Sequence, residues 1–530
     1  MRRITALVLG MLAVSAWGQS WVARYNGPAN DEDLACGIGC DDSGRVFVTG
    51  TSWNSGTGND ILTIAYGQSG ESLWAQRYDG SAHSEDPARA IAVADGRVLV
   101  TGGTTNASVL TDFVTASYSA AGVQQWAATY DGAAAGNDHG LAVAVDSSGS
   151  AYAAGYVTGD TTGWDFAVIK YDPAGTRQWV GTYSTMDEDY VAAVAVDASG
   201  NVYAAGNSGS PYTLSWDYLI VRYNPSTGDT VWTSRLNGPA DEDDEVRAIA
   251  VDGDGNVIVT GGTTSSGTGV DYTTVKYRAA DGETLWLRRY DGPASSTDWA
   301  YAVAVDGSNN VYVTGSSMGS GTDMDYATVK YDASGNQQWV ARYDGPANSF
   351  DEARAIAVDA SGNVYVTGGS TGSGTRDDYA TVRYDASGNR AGVNRYDGPA
   401  NRLDDAVAIA FDAAGGICIT GSSAGSGSGT DYATIRYAEV GIEETPSAEV
   451  RTTDATIIVR GELLLPRDMT ELPGNSDRVP RPALLDASGR RVATLQVGAN
   501  DVSHIAPGVY FVRQASGTGD AAVRRLVIAH

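Results

Sequence analysis

Between residues 21 and 437 the chain runs in short stretches that alternate apolar and polar side chains, and the stretches are of four kinds. The first sets small alanines against Ile and Val, as in ARAIAVD (Ala353–Asp359). The second is NVYVTG (Asn363–Gly368), the third DYATVRYD (Asp378–Asp385) and the fourth WVARYDG (Trp339–Gly345). Runs of this length, rich in β-branched and aromatic residues and bounded by Gly, Asn and Asp, predict strands. The first and second are joined by DASGN at Asp359–Asn363, and the third and fourth by the same turn at Asp332–Asn336. An Asp that accepts backbone N–H bonds and a Gly that supplies a positive φ predict a tight hairpin at both places.

The four-strand unit repeats. The WxxRY motif starts at Trp21, Trp74, Trp126, Trp179, Trp232, Trp286 and Trp339, and a copy without the Trp starts at Gly392; the steps are 53, 52, 53, 53, 54, 53 and 53 residues. Four antiparallel strands in a repeat of this length predict a propeller blade, whereas tandem immunoglobulin-like domains need about twice the length. The array opens on an unpaired fourth strand (Trp21–Gly27) and ends after a third strand (Asp431–Tyr437). Pairing those two closes a ring of eight complete blades and removes two bare sheet edges. The small residues Ala302, Ala304, Ala355 and Ala357 suit the crowded strand nearest the axis, and the Trp and Tyr side chains suit the wider outer space.

The succession AVD, GNVYVTG and DYxTVKYDxxGxxxW resembles the SBBP-type bacterial β-propeller repeat over residues 21–437. The resemblance implies the fold and a secreted architecture without a common activity. The expected fold class is therefore all-β: an eight-bladed propeller of four-stranded blades at 19–437, closed by the N-terminal strand, with a small C-terminal β-sandwich.

The two ends of the chain speak of export. Residues 1–18 carry a basic start (Arg2, Arg3), an apolar run and Ala16-Trp17-Gly18, a signal-peptide pattern. That run is too short to span a bilayer, and no other stretch approaches ~20 apolar residues, so no transmembrane segment is expected. An acidic linker at 438–449 leads into 450–530, where LLDASGRRVATL, PGVYFVR and RRLVIA resemble the type A C-terminal sorting domain of the type IX secretion system. The carried-over positions are Gly489, Arg490 and Val492, then Pro507, Gly508 and Tyr510; the ending Ala529-His530 lacks a terminal Lys pair. The resemblance implies the secretion machinery as a partner, and a secreted or outer-membrane-surface location in a Gram-negative bacterium. An ordinary terminal sandwich is the alternative.

Charge and cysteines narrow the partners. The net charge is −29, or −31 once residues 1–18 are removed, which disfavours nucleic acid and anionic membranes and leaves room for cations. Cys36 and Cys40 are four residues apart in an extended segment, roughly 13 Å, and cannot bridge each other; with Cys418 they read as buried free thiols.

Two aspartates recur in every blade. One opens the first strand: Asp33, Asp86, Asp138, Asp189, Asp244, Asp298, Asp351 and Asp404. The other opens the third: Asp60, Asp112, Asp165, Asp217, Asp271, Asp325, Asp378 and Asp431. Both sets fall on the face that carries the longer loops. Structural capping of loop N–H groups is the expected role, since a need repeated eightfold is a folding need. The competing reading is a ring of Ca²⁺ ligands; no other cofactor is expected. DGDGN (Asp252–Asn256) opens like a calcium loop, but Val257 and Thr263 stand where the bend Gly and the bidentate Glu belong. His83 and His139 lie in acidic loops of adjacent blades without a third ligand in view.

There is no GxSxG, phosphate loop or CxxC. The loop between second and third strands keeps one length in seven repeats, unlike the elaborated loops that carry active sites. Residues that break the symmetry of the loop face are Trp53, His83, His139, Tyr156, Tyr212, Trp299, Phe350 and Arg402, candidates for contact with a glycan or protein ligand. The expectation is a monomeric, non-catalytic binding or structural module. A carbohydrate-active lyase or hydrolase using loop-face carboxylates is the rival.

Overall fold

The computed structural model describes residues 17–160, 163–185, 188–210 and 215–439, together with seven short strands further on. Gln19–Ala438 form one compact unit. It contains eight four-stranded antiparallel sheets and, among the described residues, no helix. The chain folds as an eight-bladed β-propeller.

Each blade runs outward from an inner strand. In the seventh blade Asp351–Val358 pairs with Val364–Thr371, that with Asp377–Tyr384, and that with Arg390–Tyr396. The inner strands lie side by side all round the axis, the first blade's Asp33–Cys40 against the eighth blade's Asp404–Phe411. Closure comes from Trp17–Tyr25, which adds to the edge of Thr430–Glu439 and completes the eighth sheet. Arg24 then reaches Asp431 at 2.9 Å across the joint.

The apolar core is divided among the gaps between blades. Between blades five and six, for example, Ile258, Tyr272 and Trp286 pack on Ala300, Val311, Val313 and Tyr331. A ring of such interfaces lets a long chain fold without one oversized core. Each outer-strand Trp also latches onto the next blade: Trp286 Nε1 donates to Ala333 O at 3.2 Å, and Trp339 Nε1 to Ala386 O at 3.2 Å. The turn glycine beneath lies flat on the indole. At Gly335 (φ +80°) a Cβ would meet Trp286 at 2.7 Å, so only glycine fits. At the joint between first and eighth blades, the Cys418 thiol is raised by its hydrogen bond with Cys40 and by burial; all three cysteines are free.

The tight turns form one face of the ring. Asp332 shows their chemistry: Oδ1 accepts from the N–H groups of Ser334 and Asn336 at 2.9 Å, and Oδ2 from Asn336 Nδ2 at 2.9 Å. Asp252 sits in such a turn too, and Lys276 Nζ at 2.6 Å takes up its charge, so DGDGN forms a hairpin turn of the same kind.

Beyond residue 439 the described strands make a five-stranded sheet and a two-stranded one. Val492 lies in Arg491–Thr494, and Gly508 and Tyr510 in Gly508–Arg513; Gly489, Arg490 and Pro507 lie outside the described residues. No helix among the described residues is long and apolar enough to cross a membrane.

Candidate functional site

The loop face carries two arrangements: a ring of aspartates between blades, and an uneven arc at the mouth of the inner ring.

The aspartates opening the inner strands are buried and bind the loop that leads into them. Asp351 Oδ2 accepts from Gly345 N–H at 2.7 Å; Asp298 accepts from Gly292 and Met318, and Asp404 from Gly398 and Ala424. Asp86, Asp138, Asp244 and Asp33 bind the glycine six residues upstream in the same way, and Asp189 binds Thr185. A Cβ at Gly345 would stand 2.4 Å from Ser370 Oγ and 2.7 Å from Asp351 Oδ1, which is why the loop needs glycine there.

The aspartates opening the third strands do something else. Asp325, Asp378, Asp60, Asp217 and Asp431 accept no main-chain N–H; one oxygen of each pairs with an arginine of the outer strand, at 2.9, 2.8, 2.9, 3.0 and 2.9 Å. The expected capping role therefore does not extend to these five: the third strand begins inside the sheet, where its N–H groups already have ladder partners. Asp271 accepts from Thr268 Oγ1, and Asp112 from Asn106 Nδ2. Asp165, like Asp112 and Asp217, is half-buried.

Burial acts on the aspartates that open the inner strands. Burial raises the carboxyls of Asp86, Asp138, Asp298 and Asp404, and pushes those of Asp244 and Asp351 up to about 6.

The arc at the mouth arises from one backbone device. In every blade the pairing of the inner strand slips by one residue, as between Ala353 and Ala355, leaving Arg354 out of the ladder. Bulges of this kind re-aim side chains beside binding sites. The residues at the bulge and two before it differ from blade to blade. From the fifth blade to the eighth they join into a network. Arg247 pairs with Glu245 and stacks over the Trp299 ring at 5.3 Å. Tyr301 hydrogen-bonds Glu352, and Arg354 bridges Glu352 at 2.5 Å and Asp405 at 3.2 Å. Asp405 is pushed up to about 6 by burial, with Glu352 and Asp377 adding and Arg354 opposing. Beside this, Tyr190 meets Trp216 edge to face at 5.3 Å.

Of the residues expected to break symmetry, the structure brings Trp299 into this arc, and joins His139 to Tyr156 (5.3 Å), which stacks on Trp164 (4.5 Å). His139 is lowered to about 4 by burial and then by Arg89. His83 is exposed at φ +51° and bound to Asp79 at 2.7 Å, so the two histidines have different partners. Trp53 is half-buried at a strand end, Phe350 and Arg402 are exposed, and Tyr212 lies outside the described residues. Sequence reasoning missed Tyr190, Glu245, Arg247, Tyr301, Glu352, Arg354 and Asp405. Their signal was available: these two positions vary among repeats whose other inner-strand positions hardly change.

The SBBP β-propeller repeat model matches residues 286–321. That stretch covers the sixth blade's outer-strand neighbour, inner strand and second strand. No curated protein matches the chain. Among solved structures, the extracellular domains 1-2 of Drosophila Semaphorin 1b are 11% identical, with a TM-score of 0.38, over 79% of this chain and 87% of that one. The β-propeller domain of the Trilobed protease from Pyrococcus furiosus is 9% identical, with a TM-score of 0.37, over 66% and 93%. An alpha-L-arabinofuranosidase of Fusarium graminearum with arabinobiose is 11% identical, with a TM-score of 0.36, over 56% and 91%.

Proposed function

We propose that this protein is a non-catalytic binding module, exported by a type IX-like route and held at or released from the cell surface, with its ligand seated on the mouth of the inner ring. The observation that carries the reading is the arc itself. On a scaffold that repeats eight times, the asymmetry is gathered where a bulge turns side chains out of the ladder. An aromatic face (Trp299, Tyr301, Tyr190) beside paired charges (Glu245–Arg247, Glu352–Arg354) suits a ligand with flat apolar faces and hydroxyl or amide groups, a glycan before a protein. Export rests on the signal-peptide pattern and on the tail motifs.

The rival, a carbohydrate-active enzyme, draws on one feature: Asp405, protonated to about pH 6, stands with Glu352 around a single arginine. Glycan-array binding of the full-length protein, with Trp299→Ala and Asp405→Asn variants, separates the two. The binding module loses its ligand in Trp299→Ala and leaves every bound oligosaccharide intact. Product release from a bound oligosaccharide, abolished in Asp405→Asn, makes it an enzyme.

A further inference from the structure

Each junction between blades gathers three strand ends on the loop face. They are the aspartate opening one blade's third strand, the residue after the outer-strand tyrosine, and the aspartate opening the next inner strand. At five junctions all three are aspartates, and at four of these they converge: Asp60, Asp79 and Asp86; Asp271, Asp291 and Asp298; Asp325, Asp344 and Asp351; Asp378, Asp397 and Asp404. In each set, one oxygen from every carboxylate lies within 4.8 Å of the other two. Three carboxylates so close repel one another and need positive charge.

The protein supplies part of it. Arg77, Arg342 and Arg395 each take one oxygen, Oδ2, of Asp60, Asp325 and Asp378. The other oxygen is left over. Oδ1 of Asp60, Asp325 and Asp378 is shut off from solvent and accepts no hydrogen bond, on side chains only 0%, 6% and 6% exposed. Oδ1 of Asp271, and of the less buried Asp79 and Asp344, likewise has no hydrogen-bond partner. A buried carboxylate oxygen without a donor is costly, and here the same orphan recurs at one register around the ring. At the Asp60, Asp325 and Asp378 sets, three carboxylates and one arginine leave a net charge of −2.

We propose that these four junctions each bind a divalent cation, and that the ion is calcium. Calcium takes six to eight oxygens at about 2.3–2.6 Å, so two oxygens on one ion stand at most about 5 Å apart. Donors that are all oxygen and contributed by two blades disfavour zinc, which prefers nitrogen and sulfur, and magnesium, which demands a tight octahedron. The other four junctions are the built-in controls. Asn26, Ser184 and Asn237 replace the middle aspartate at three. Asp431 and Asp217 keep the orphan oxygen at two of these, with one carboxylate fewer to share an ion. At the fourth, Asp112, Asp131 and Asp138 are all present, but Asn106 Nδ2 donates to Asp112 Oδ1 at 2.7 Å and satisfies that oxygen.

The test is equilibrium dialysis of the full-length, chelator-treated protein against radioactive calcium, paired with melting curves in calcium, magnesium or chelator. Four ions per chain are expected, with a rise in Tm in calcium that magnesium does not reproduce. Asp344→Asn and Asp397→Asn alter the outermost member of a set, which caps nothing, so each variant should fold in chelator like the parent. Each should bind one ion fewer and lose about a quarter of the calcium-induced rise in Tm. Asn237→Asp should gain an ion. Unchanged stoichiometry in all three variants, no ions bound at millimolar calcium, or an equal Tm rise in magnesium would each overturn the proposal.

Discussion

One ring carries two populations of repeated aspartates, on opposite faces, and they live under opposite conditions. On the turn face Asp332 and Asp385 accept from two N–H groups and a side-chain amide, and the Asn336 and Asn389 amides hold their carboxyls below the usual range. On the loop face burial holds Asp351 and its equivalents above it, and orphan oxygens accumulate between blades. Identity and repetition are the same in both places. The difference is whether the backbone alone can satisfy the charge. A residue that finishes a turn is complete when the chain folds, while three carboxylates converging from two blades are complete only with a cation.

The comparison can be broken in order of expected effect. Asp378→Ala strands Arg395 and removes a ligand of the proposed ion, so with calcium present it should cost about 3 kcal/mol by denaturant melts. In chelator the cost should shrink, because repulsion within the set disappears with the side chain. An equal cost in both conditions would place Asp378 with the turn-face residues.

The pH response should also split the populations. Asp351, raised to about 6, binds its proton more tightly folded than unfolded. Its contribution to stability is full below the ordinary carboxylate range and is lost as pH rises to about 6, on the order of 2 kcal/mol. The lowered turn-face groups act with the opposite sign, their contribution being lost as pH falls through their own range. In chelator, Asp351→Asn should flatten the loss between pH 4 and about 6, checked by melts across that window. Asp359→Ala, a turn-face change, should cost about 1 kcal/mol with or without calcium. Asp332→Asn keeps an acceptor and should cost only a few tenths of a kcal/mol.

Much of this is legible in the sequence alone. Strands, turns, blade number and the joining of Trp21–Gly27 to the eighth sheet follow from repetition, which shows each rule eight times and averages out local exceptions. What stayed hidden is what depends on two repeats meeting. Asp325 and Asp351 belong to different blades, and no run of sequence shows their carboxylates converging with Asp344. The bulge at Arg354 was equally silent, because ARAIAVD reads as an unbroken alternation. Without the bulge, the loops drew notice instead, and Phe350 and Arg402 are simply exposed there.

One position in the outer strands sets how the ring gives way. Seven tryptophans, from Trp21 to Trp339, each hold the following blade through an indole N–H. The eighth equivalent is Gly392, so the seventh blade makes no such grip on the eighth. That joint keeps the Tyr379 hydroxyl, which donates to Ala433 O at 3.1 Å as Tyr272 and Tyr326 do at their own joints, and the Asp378, Asp397 and Asp404 set adds to it only with the proposed ion. A closed hoop fails at its weakest rivet, wherever the load is applied. Thermal opening should therefore begin between the seventh and eighth blades, with the eighth peeling away while the other seven stay stacked, and amide exchange should report the peeling there first.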